Sequence, residues 1–258
     1  MGRLQRTLST VSEADDTDNG RVAVVGGSIE YPNQPALVGE AALRTGTDHV
    51  RTLVAEPIYD IVAGYSPNLL VSPYDGERFD STAVDDTVAT CEWADALVIG
   101  PGLVDADTAA IRDVIDRIDV PVVADALAIE PALDSDLSNV VLTPSDAEDD
   151  PIHDGHESLE QFTEETGAVL TLTGDVDEIV VDGERLENDT GTSALTVAGT
   201  GDTLAGITAS LLGQGMDRRT AAELGAWILG KSGELATAEF GPGLVATDVI
   251  DRIPSTIR

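Results

Sequence analysis

A glycine-rich turn that leads into a helical segment carries the residues best suited to chemistry in this sequence. Residues 198–206 read Ala-Gly-Thr-Gly-Asp-Thr-Leu-Ala-Gly. The unpaired N–H groups and the dipole at a helix N-terminus favour binding of an anion. Asp202 would lie beside that anion, where a carboxylate could take a proton from a hydroxyl group while the N–H groups hold a migrating phosphoryl group. Aspartate is also a common N-cap, and the spacing alone leaves both roles open.

Three further turns carry small or polar residues directly after predicted strands. They are residues 25–28 (Val-Gly-Gly-Ser), 99–103 (Ile-Gly-Pro-Gly-Leu) and 142–145 (Leu-Thr-Pro-Ser), the last followed by Glu148. The carboxyl ends of parallel strands are where α/β sheets bind ligands. Each turn alone is compatible with an ordinary strand-to-helix connection, but the four turns together favour a binding edge.

One formal motif is interpreted as structure. Residues 225–232 match the G-x-x-x-x-G-K-S pattern of the phosphate-binding P-loop. The intervening residues are Ala-Trp-Ile-Leu, and the apolar residues around them recur at helical spacing with no strand ahead. We therefore expect a buried helix there. The histidines His49, His153 and His156 are scattered, and the sequence predicts no metal cluster.

Alternating strands and helices must position these turns. Strands are predicted at residues 21–25, 49–55, 96–99, 120–123, 140–143 and 168–172, and helices at 34–44, 105–118, 159–166, 202–213 and 217–238. This alternation predicts an α/β layered domain with a mostly parallel sheet. The Asp182-Gly183 pair between β-rich runs predicts an antiparallel hairpin at one edge of the sheet.

The charge of the chain is strongly negative. Its 258 residues include 14 Lys+Arg and 48 Asp+Glu, for a net charge of −34. Such a field repels nucleic acid and anionic membranes, so neither is an expected partner. Acidic residues spread along the whole chain are typical of a salt-rich cytoplasm, where screening weakens their repulsion. We expect an acidic arm at residues 1–20 and one catalytic domain at 21–258.

The cellular setting predicted from the sequence is the cytoplasm. The single cysteine, Cys91, excludes an internal disulfide, which fits a reducing compartment. The apolar runs are too short to cross a bilayer, and no secretory signal is recognisable at the N-terminus.

Taken in order, these turns resemble the ADP/ATP-dependent NAD(P)H-hydrate dehydratases of the ribokinase-like superfamily. The matching stretches follow the family's order at residues 24–28, 41–46, 66–68, 98–103, 125–127, 142–144 with Glu148, 198–206 and 243–248. The resemblance implies a three-layer ribokinase-like fold with helices on both faces of the sheet. It also implies that a nucleotide phosphorylates the hydroxyl of hydrated NADH or NADPH, and that loss of phosphate then restores the ring.

The resemblance assigns roles to individual residues. It implies that Asp202 is the catalytic base and that the anion hole is formed by Gly199, Thr200 and Gly201. It implies nucleotide contacts by Thr173, Gly174, Asp175, Val176, Asp177 and Gly201, and substrate contacts by Gln34, Gly102, Ser145 and Asp202. It further implies Mg²⁺ on the phosphates of ADP or ATP, no metal ligands from the protein, and a homotetramer.

The sequence departs from the family pattern at three places. Asn33-Gln34 replaces Gly-Ala, Ser145 replaces a histidine after Thr-Pro, and Thr173 replaces a lysine before glycine. These changes keep two alternatives open. One is a small-molecule kinase acting on another hydroxylated metabolite, which would release a stable phosphoester. The other is a nucleotide-binding paralogue without catalytic activity.

Overall fold

A nine-stranded sheet separates two layers of helices. The computed structural model describes residues 19–145, 152 and 155–258. The predicted acidic arm at residues 1–20 therefore lies almost entirely outside the described residues, as do Glu148 and His153. Among the described residues, no helix has both the length and the apolar character needed to cross a bilayer.

The strands form a sheet in which only β8 runs against the others. They are β1 Arg21–Val25, β2 His49–Ala55, β3 Leu70–Tyr74, β4 Ala96–Ile99, β5 Val122–Ala124, β6 Val140–Leu142, β7 Val169–Leu172, β8 Asp177–Val181 and β9 Glu184–Asn188. Their order is β3-β2-β1-β4-β5-β6-β7-β8-β9, parallel as far as β7 and antiparallel in the last two pairs. The hairpin turns at Asp182 and Gly183, with φ of 52° and 75°. The predicted mostly parallel sheet with an antiparallel edge hairpin is confirmed.

The helices cover both faces of the sheet. They are α1 Gln34–Arg44, α2 Tyr59–Ala63, α3 Val84–Cys91, α4 Thr108–Arg117, α5 Ile129–Ala132, α6 Leu159–Thr166, α7 Thr200–Gly213, α8 Arg218–Phe240 and α9 Ala246–Ile257. Side chains alternate along each strand, so Ala23 and Val25 pack with helices α2 to α6 while Val22 and Val24 pack with α1 and α7 to α9. The P-loop-like segment lies inside α8, as expected for a buried helix.

Local signals explain where several helices begin and end. Side chains cap the N-termini of α4, α6 and α8, where Asp107, Ser158 and Asp217 accept backbone N–H groups. Helix α6 ends at Gly167, whose φ of 72° is the left-handed conformation typical of a C-cap. These caps fix where the helices begin and end, and therefore which apolar side chains face the sheet.

Close packing between α1 and α7 sets the position of the glycine-rich turn. A Cβ added at Gly206 would lie 2.3 Å from the carbonyl oxygen of Val38, so only glycine permits this approach. The side chains of Thr47 and Ser210 also hydrogen-bond at 2.6 Å in the buried interface. Helix α7 is therefore fixed against α1, which follows strand β1 in the interior of the sheet.

Candidate functional site

Backbone hydrogen bonds join the turns that follow the parallel strands. Gly27 N donates to Pro101 O at 2.8 Å, which links the turn after β1 to the turn after β4. Asp125 N donates to Ile99 O at 3.1 Å, and Thr143 N donates to Ala124 O at 3.2 Å. Three of the four turns singled out from the sequence therefore lie at one edge of the sheet, and the turn after β5 lies between those after β4 and β6.

Glycines allow the turn after β4 to approach its neighbours. Gly100 has φ of 119°, and a Cβ there would lie 1.9 Å from Asp125 O. Gly102 has φ of 72°, and a Cβ there would lie 2.7 Å from Tyr31 O and 3.2 Å from Gln34 Oε1. Gln34 and Gly102, both predicted substrate-binding residues, are thus in contact although they are distant in sequence.

The amide oxygen of Gln34 is a buried acceptor that no described donor reaches. A buried polar atom without a partner costs free energy, on the order of 1–3 kcal/mol. Its position beside Gly102 gives this edge of the site an acceptor that a ligand N–H or O–H group could satisfy. The neighbouring Asn33 is exposed and accepts a hydrogen bond from the hydroxyl of Tyr65.

The glycine-rich turn opens helix α7 without a side-chain cap. The N-cap is Gly199, with φ of 94°, and Asp202 lies inside the first turn of the helix. The N-cap interpretation of Asp202 is therefore wrong, because the left-handed glycine moves the start of the helix ahead of it. Its carboxylate is left available for another role.

Two N–H groups at the start of α7 find no acceptor in the part of the chain that the structure describes. Thr200 N donates to Val197 O at 3.4 Å, and Thr203 N donates to Gly199 O at 3.0 Å. Among the described residues, no acceptor is found for the N–H groups of Gly201 and Asp202. A Cβ on Gly201 would have no atom within 4 Å, so open space lies in front of the turn. The helix start therefore offers two donors and a positive dipole end to an anion.

A second buried aspartate acts on Asp202 electrostatically. Burial, followed by the negative charge of Asp125, raises the pKa of Asp202 to about 7. Asp125 is 6% exposed, and its Oδ1 accepts a hydrogen bond from Thr143 Oγ1 at 2.8 Å. The next residue, Ala126, has φ of 50°, a conformation that costs on the order of 1–3 kcal/mol in a residue other than glycine. A carboxyl group that titrates near neutral pH suits a general base.

Asp125 is a site residue that the sequence did not predict. The residue stood in one of the stretches that carry the family resemblance, and it follows a buried strand directly. Its position directly after a buried strand is the signal that could have identified it as a site residue. Its electrostatic effect on Asp202 depends on the folded arrangement of β5 and α7.

The predicted nucleotide-binding residues form a turn between β7 and β8. Thr173 N donates to Pro144 O at 3.2 Å, and Ser145 pairs with Thr173 in an isolated parallel bridge. Gly174, Asp175 and Val176 are exposed. The turn after β7 is thus joined to the Thr-Pro-Ser turn after β6.

Asp177, the last predicted nucleotide residue, differs from the others because it turns into the fold. Burial raises its pKa, while hydrogen bonds from Asn188 and Gly174 lower it. The carboxylate is thus held by hydrogen bonds within the protein, and Asp177 is less exposed than Gly174, Asp175 and Val176.

A cavity of about 370 Å³ lies at the other edge of the sheet. It is lined by residues that include Pro121, Val169, Leu212, Met216 and Arg218. None of the predicted site residues lines it. Among the described residues, no group of three or more His, Cys, Asp or Glu side chains could hold a metal ion.

Comparison with protein families gives a match over most of the chain. The model of a family described as NAD(P)H-hydrate dehydratase matches residues 22–255. The chain is 79% identical over 258 residues to ADP-dependent (S)-NAD(P)H-hydrate dehydratase from Natrialba magadii, covering 100% of both chains. It is 74% identical over 258 residues to the protein of the same name from Haloterrigena turkmenica, again covering 100% of both.

Solved structures share the fold. A ribokinase-like superfamily protein from Enterococcus faecalis superposes with a TM-score of 0.83 at 21% identity, covering 98% of this chain and 93% of that one. An ADP/ATP-dependent NAD(P)H-hydrate dehydratase from Bacillus subtilis, co-crystallised with ATP/Mg²⁺, gives a TM-score of 0.77 at 22% identity, covering 98% and 96%. The predicted ribokinase-like architecture is confirmed.

Proposed function

The chain belongs to the NAD(P)H-hydrate dehydratase family, and we propose that it uses ADP to dehydrate the S epimers of hydrated NADH and NADPH. The family predicted from the sequence is confirmed. The names of the two relatives from Natrialba magadii and Haloterrigena turkmenica favour ADP over ATP, a choice that the sequence left open.

One observation carries the proposal. A carboxyl group with a pKa of about 7 lies in the first turn of a helix whose N–H groups of Gly201 and Asp202 have no acceptor among the described residues. A phosphoryl group held by those donors would lie next to a base that is half ionised at neutral pH. This pairing of a base and an anion site suits transfer of a phosphoryl group to a hydroxyl.

The chemistry proceeds in two steps. Asp202 takes the proton of the ring hydroxyl, whose oxygen forms a bond to the terminal phosphorus of ADP as the bond to AMP breaks. The carbon–oxygen bond of the phosphorylated ring then breaks, and phosphate leaves with the electron pair. Loss of one ring proton to solvent restores the reduced nicotinamide. The products are the reduced cofactor, phosphate and AMP.

We assign the nucleotide to the turn that begins at Thr173 and to Gly201. The exposure of Gly174, Asp175 and Val176 supports this assignment, because their backbone groups are accessible to a ligand. Thr173 supplies no positive charge, so the helix dipole and the N–H donors of α7 carry more of the attraction for phosphate.

The site fits a magnesium ion that arrives with the nucleotide. Mg²⁺ is commonly bound through one or two carboxylates together with substrate phosphates. Asp125 is close enough to Asp202 for its charge to raise the pKa of that residue, and it would supply hard oxygen atoms of the kind that Mg²⁺ prefers, while Asp202 stays available as the base. When bound, the ion would neutralise charge on the phosphates. No further protein cage is needed.

The substrate side is assigned to Gln34, Gly102 and Ser145. The unpartnered amide oxygen of Gln34 supports this, since it could accept a hydrogen bond from the carboxamide N–H of the nicotinamide. The contact between Gln34 and Gly102 brings the two turns to one place. The family pattern has alanine at this position, and alanine could accept a hydrogen bond from the nicotinamide only with its backbone. Gln34 would accept that hydrogen bond with its side chain.

The working environment is proposed to be a salt-rich cytoplasm. The net charge of −34 supports this, because strong screening is needed to limit the self-repulsion of such a surface. Assembly into a homotetramer stays a prediction from the family resemblance. Size-exclusion chromatography with light scattering in molar KCl would test it.

A turnover assay tests the proposed function. Purified protein would receive the S epimer of hydrated NADH with Mg²⁺ in molar KCl, with ADP in one series and ATP in another. Absorbance of the reduced ring and release of phosphate would be followed together. We expect both signals to rise in equal amounts with ADP, whereas a kinase would form a phosphoester without free phosphate.

Two variants complete the assay. Asp202→Asn should lose turnover while it still binds ADP, and Asp116→Asn, which changes an exposed aspartate of α4, should behave like the unchanged protein. A folded protein that binds ADP but restores no reduced cofactor from either nucleotide would refute the dehydratase function.

A further inference from the structure

A hydrogen-bond network begins at the exposed turn assigned to the nucleotide and continues into a partly buried region. Asp177 Oδ1 accepts a hydrogen bond from Gly174 N at 3.4 Å, and Asp177 Oδ2 accepts one from Asn188 Nδ2 at 3.1 Å. Thr190 Oγ1 donates to Asn188 Oδ1 at 2.9 Å. Asn188 is 8% exposed, so solvent cannot readily replace these partners. The network crosses from the start of β8 to the segment after β9.

The far end of this network is fixed to helix α8. A Cβ on Gly230 would lie 2.1 Å from Thr190 Oγ1, so the segment rests directly on the helix backbone. Gly191 N donates to Glu234 Oε1 at 3.2 Å. Lys231, the single lysine of the chain, places its Nζ 2.8 Å from each oxygen of the same carboxylate. A long packed helix thus supports the segment that holds Asn188.

We propose that Asp177 and Asn188 are positioning residues that hold residues 174–176 in the shape that binds ADP. This inference rests on the proposed function, which assigns the nucleotide to that turn. Each carboxylate oxygen of Asp177 already accepts a hydrogen bond within the protein, so in this proposal Asp177 acts on the turn through Gly174 N and not by contact with ADP. The role differs from the direct nucleotide contact implied by the family resemblance.

The chemistry of the pair explains why these two residue types suit the task. Asp177 must accept two hydrogen bonds, one from a backbone N–H and one from a side chain. Asn188 must donate to Asp177 and accept from Thr190, and an amide does this with two separate atoms, Nδ2 and Oδ1. The donated hydrogen bonds also offset the charge of a carboxylate that lies near a bound polyphosphate.

An exchange of the two side chains tests the proposal. In Asp177→Asn the new amide can still accept a hydrogen bond from Gly174 N. Its Nδ2 then faces the Nδ2 of Asn188, which is also a donor. Asn188 can avoid this only by turning its amide, and it then loses the hydrogen bond from Thr190. In Asn188→Asp two carboxylates face each other. In the double variant the amide at 177 accepts from Gly174 N and donates to the carboxylate at 188, whose other oxygen accepts from Thr190. The double exchange therefore restores all three hydrogen bonds.

We would measure ADP binding by calorimetry and KM for ADP and for hydrated NADH. Each single variant should raise the Kd for ADP about tenfold, the effect of losing a buried hydrogen bond to a charged group. The KM for hydrated NADH should stay unchanged, and the double variant should return the Kd to within about threefold of the original value. Asp189→Asn, which changes the exposed neighbour of Asn188, is the matched control and should have no effect.

The outcomes separate this inference from the proposed function. Single variants that lower the melting temperature but bind ADP normally would overturn it, as would a double variant no better than the weaker single. If the single variants fail to fold, Thr190→Val removes only the outer hydrogen bond: a raised Kd supports the inference, and an unchanged Kd overturns it. Failure of the unchanged protein to bind ADP would overturn the proposed function and this inference together.

Discussion

Replacing Asp202 by asparagine should abolish activity and stabilise the fold. The carboxyl group is isosteric with the amide, but the amide cannot take a proton from the substrate hydroxyl. General base catalysis contributes roughly 10²- to 10⁴-fold to a rate, so kcat should fall by that factor. The N–H groups at the start of α7 are unchanged, and ADP binding should therefore persist.

The stability gain follows from the raised pKa. The pKa of Asp202 moves from its ordinary value of 3.8 to about 7 on folding. The folded protein holds this proton more tightly than the unfolded chain. The free energy of unfolding therefore falls as the pH rises from the unfolded pKa to the folded pKa, and the full loss is reached above the folded pKa. At about 1.36 kcal/mol per pH unit, the penalty at pH 8 is on the order of 4 kcal/mol. Asparagine stays neutral and avoids it.

Thermal unfolding at two pH values measures this effect. The variant should exceed the unchanged protein in melting temperature at pH 8, where each kcal/mol is worth about 2–4 °C. The advantage should shrink at pH 5.5, because Asp202 is then protonated in the folded protein. An asparagine variant that melts below the original at pH 8, or an original enzyme whose kcat/KM lacks a rise near pH 7, would refute the reasoning.

Three further predictions concern neighbours of this group. Asp125→Asn removes a negative charge that raises the pKa of Asp202, so the acidic limb of the kcat/KM profile should move to lower pH. Gln34→Ala should raise KM for hydrated NADH about tenfold and leave KM for ADP unchanged, as steady-state kinetics would record. Gly206→Ala forces a Cβ to 2.3 Å from a carbonyl oxygen of α1 and should lower the free energy of unfolding by about 1–3 kcal/mol in denaturant titration.

Most of the central sheet was predictable because its strands are short apolar runs separated by glycine-containing turns. Several missed elements carry proline, which obscures their pattern, and β3 and α9 are examples. Strand β3 contains Pro73 and lies at an edge, where a missing N–H is tolerated. Helix α9 contains Pro254, although Val249, Ile250 and Ile253 repeat at helical spacing and are buried.

The candidate site was predictable only where a single turn carries the signal. The turn that contains Asp202 combines glycines, a small polar residue and a carboxylate in one stretch of sequence. The contact of Gln34 with Gly102 depends on β1 pairing with β4 across 70 residues or more, which no local pattern specifies. Asp177 resembles an exposed loop acid in sequence, and its inward orientation depends on Asn188 across the hairpin.

The order of the strands and helices along the chain has a consequence for folding during synthesis on the ribosome. Strand β1 is the third of the nine strands in the sheet, and β4 to β9 add to its free side in the order in which they are made. Helices α7 to α9, which cover one face, are made only after every strand is complete. Apart from α1, that valine-rich face stays bare in the nascent chain. We therefore expect the incomplete chain to be prone to aggregation and to depend on chaperones until residues 200–257 emerge.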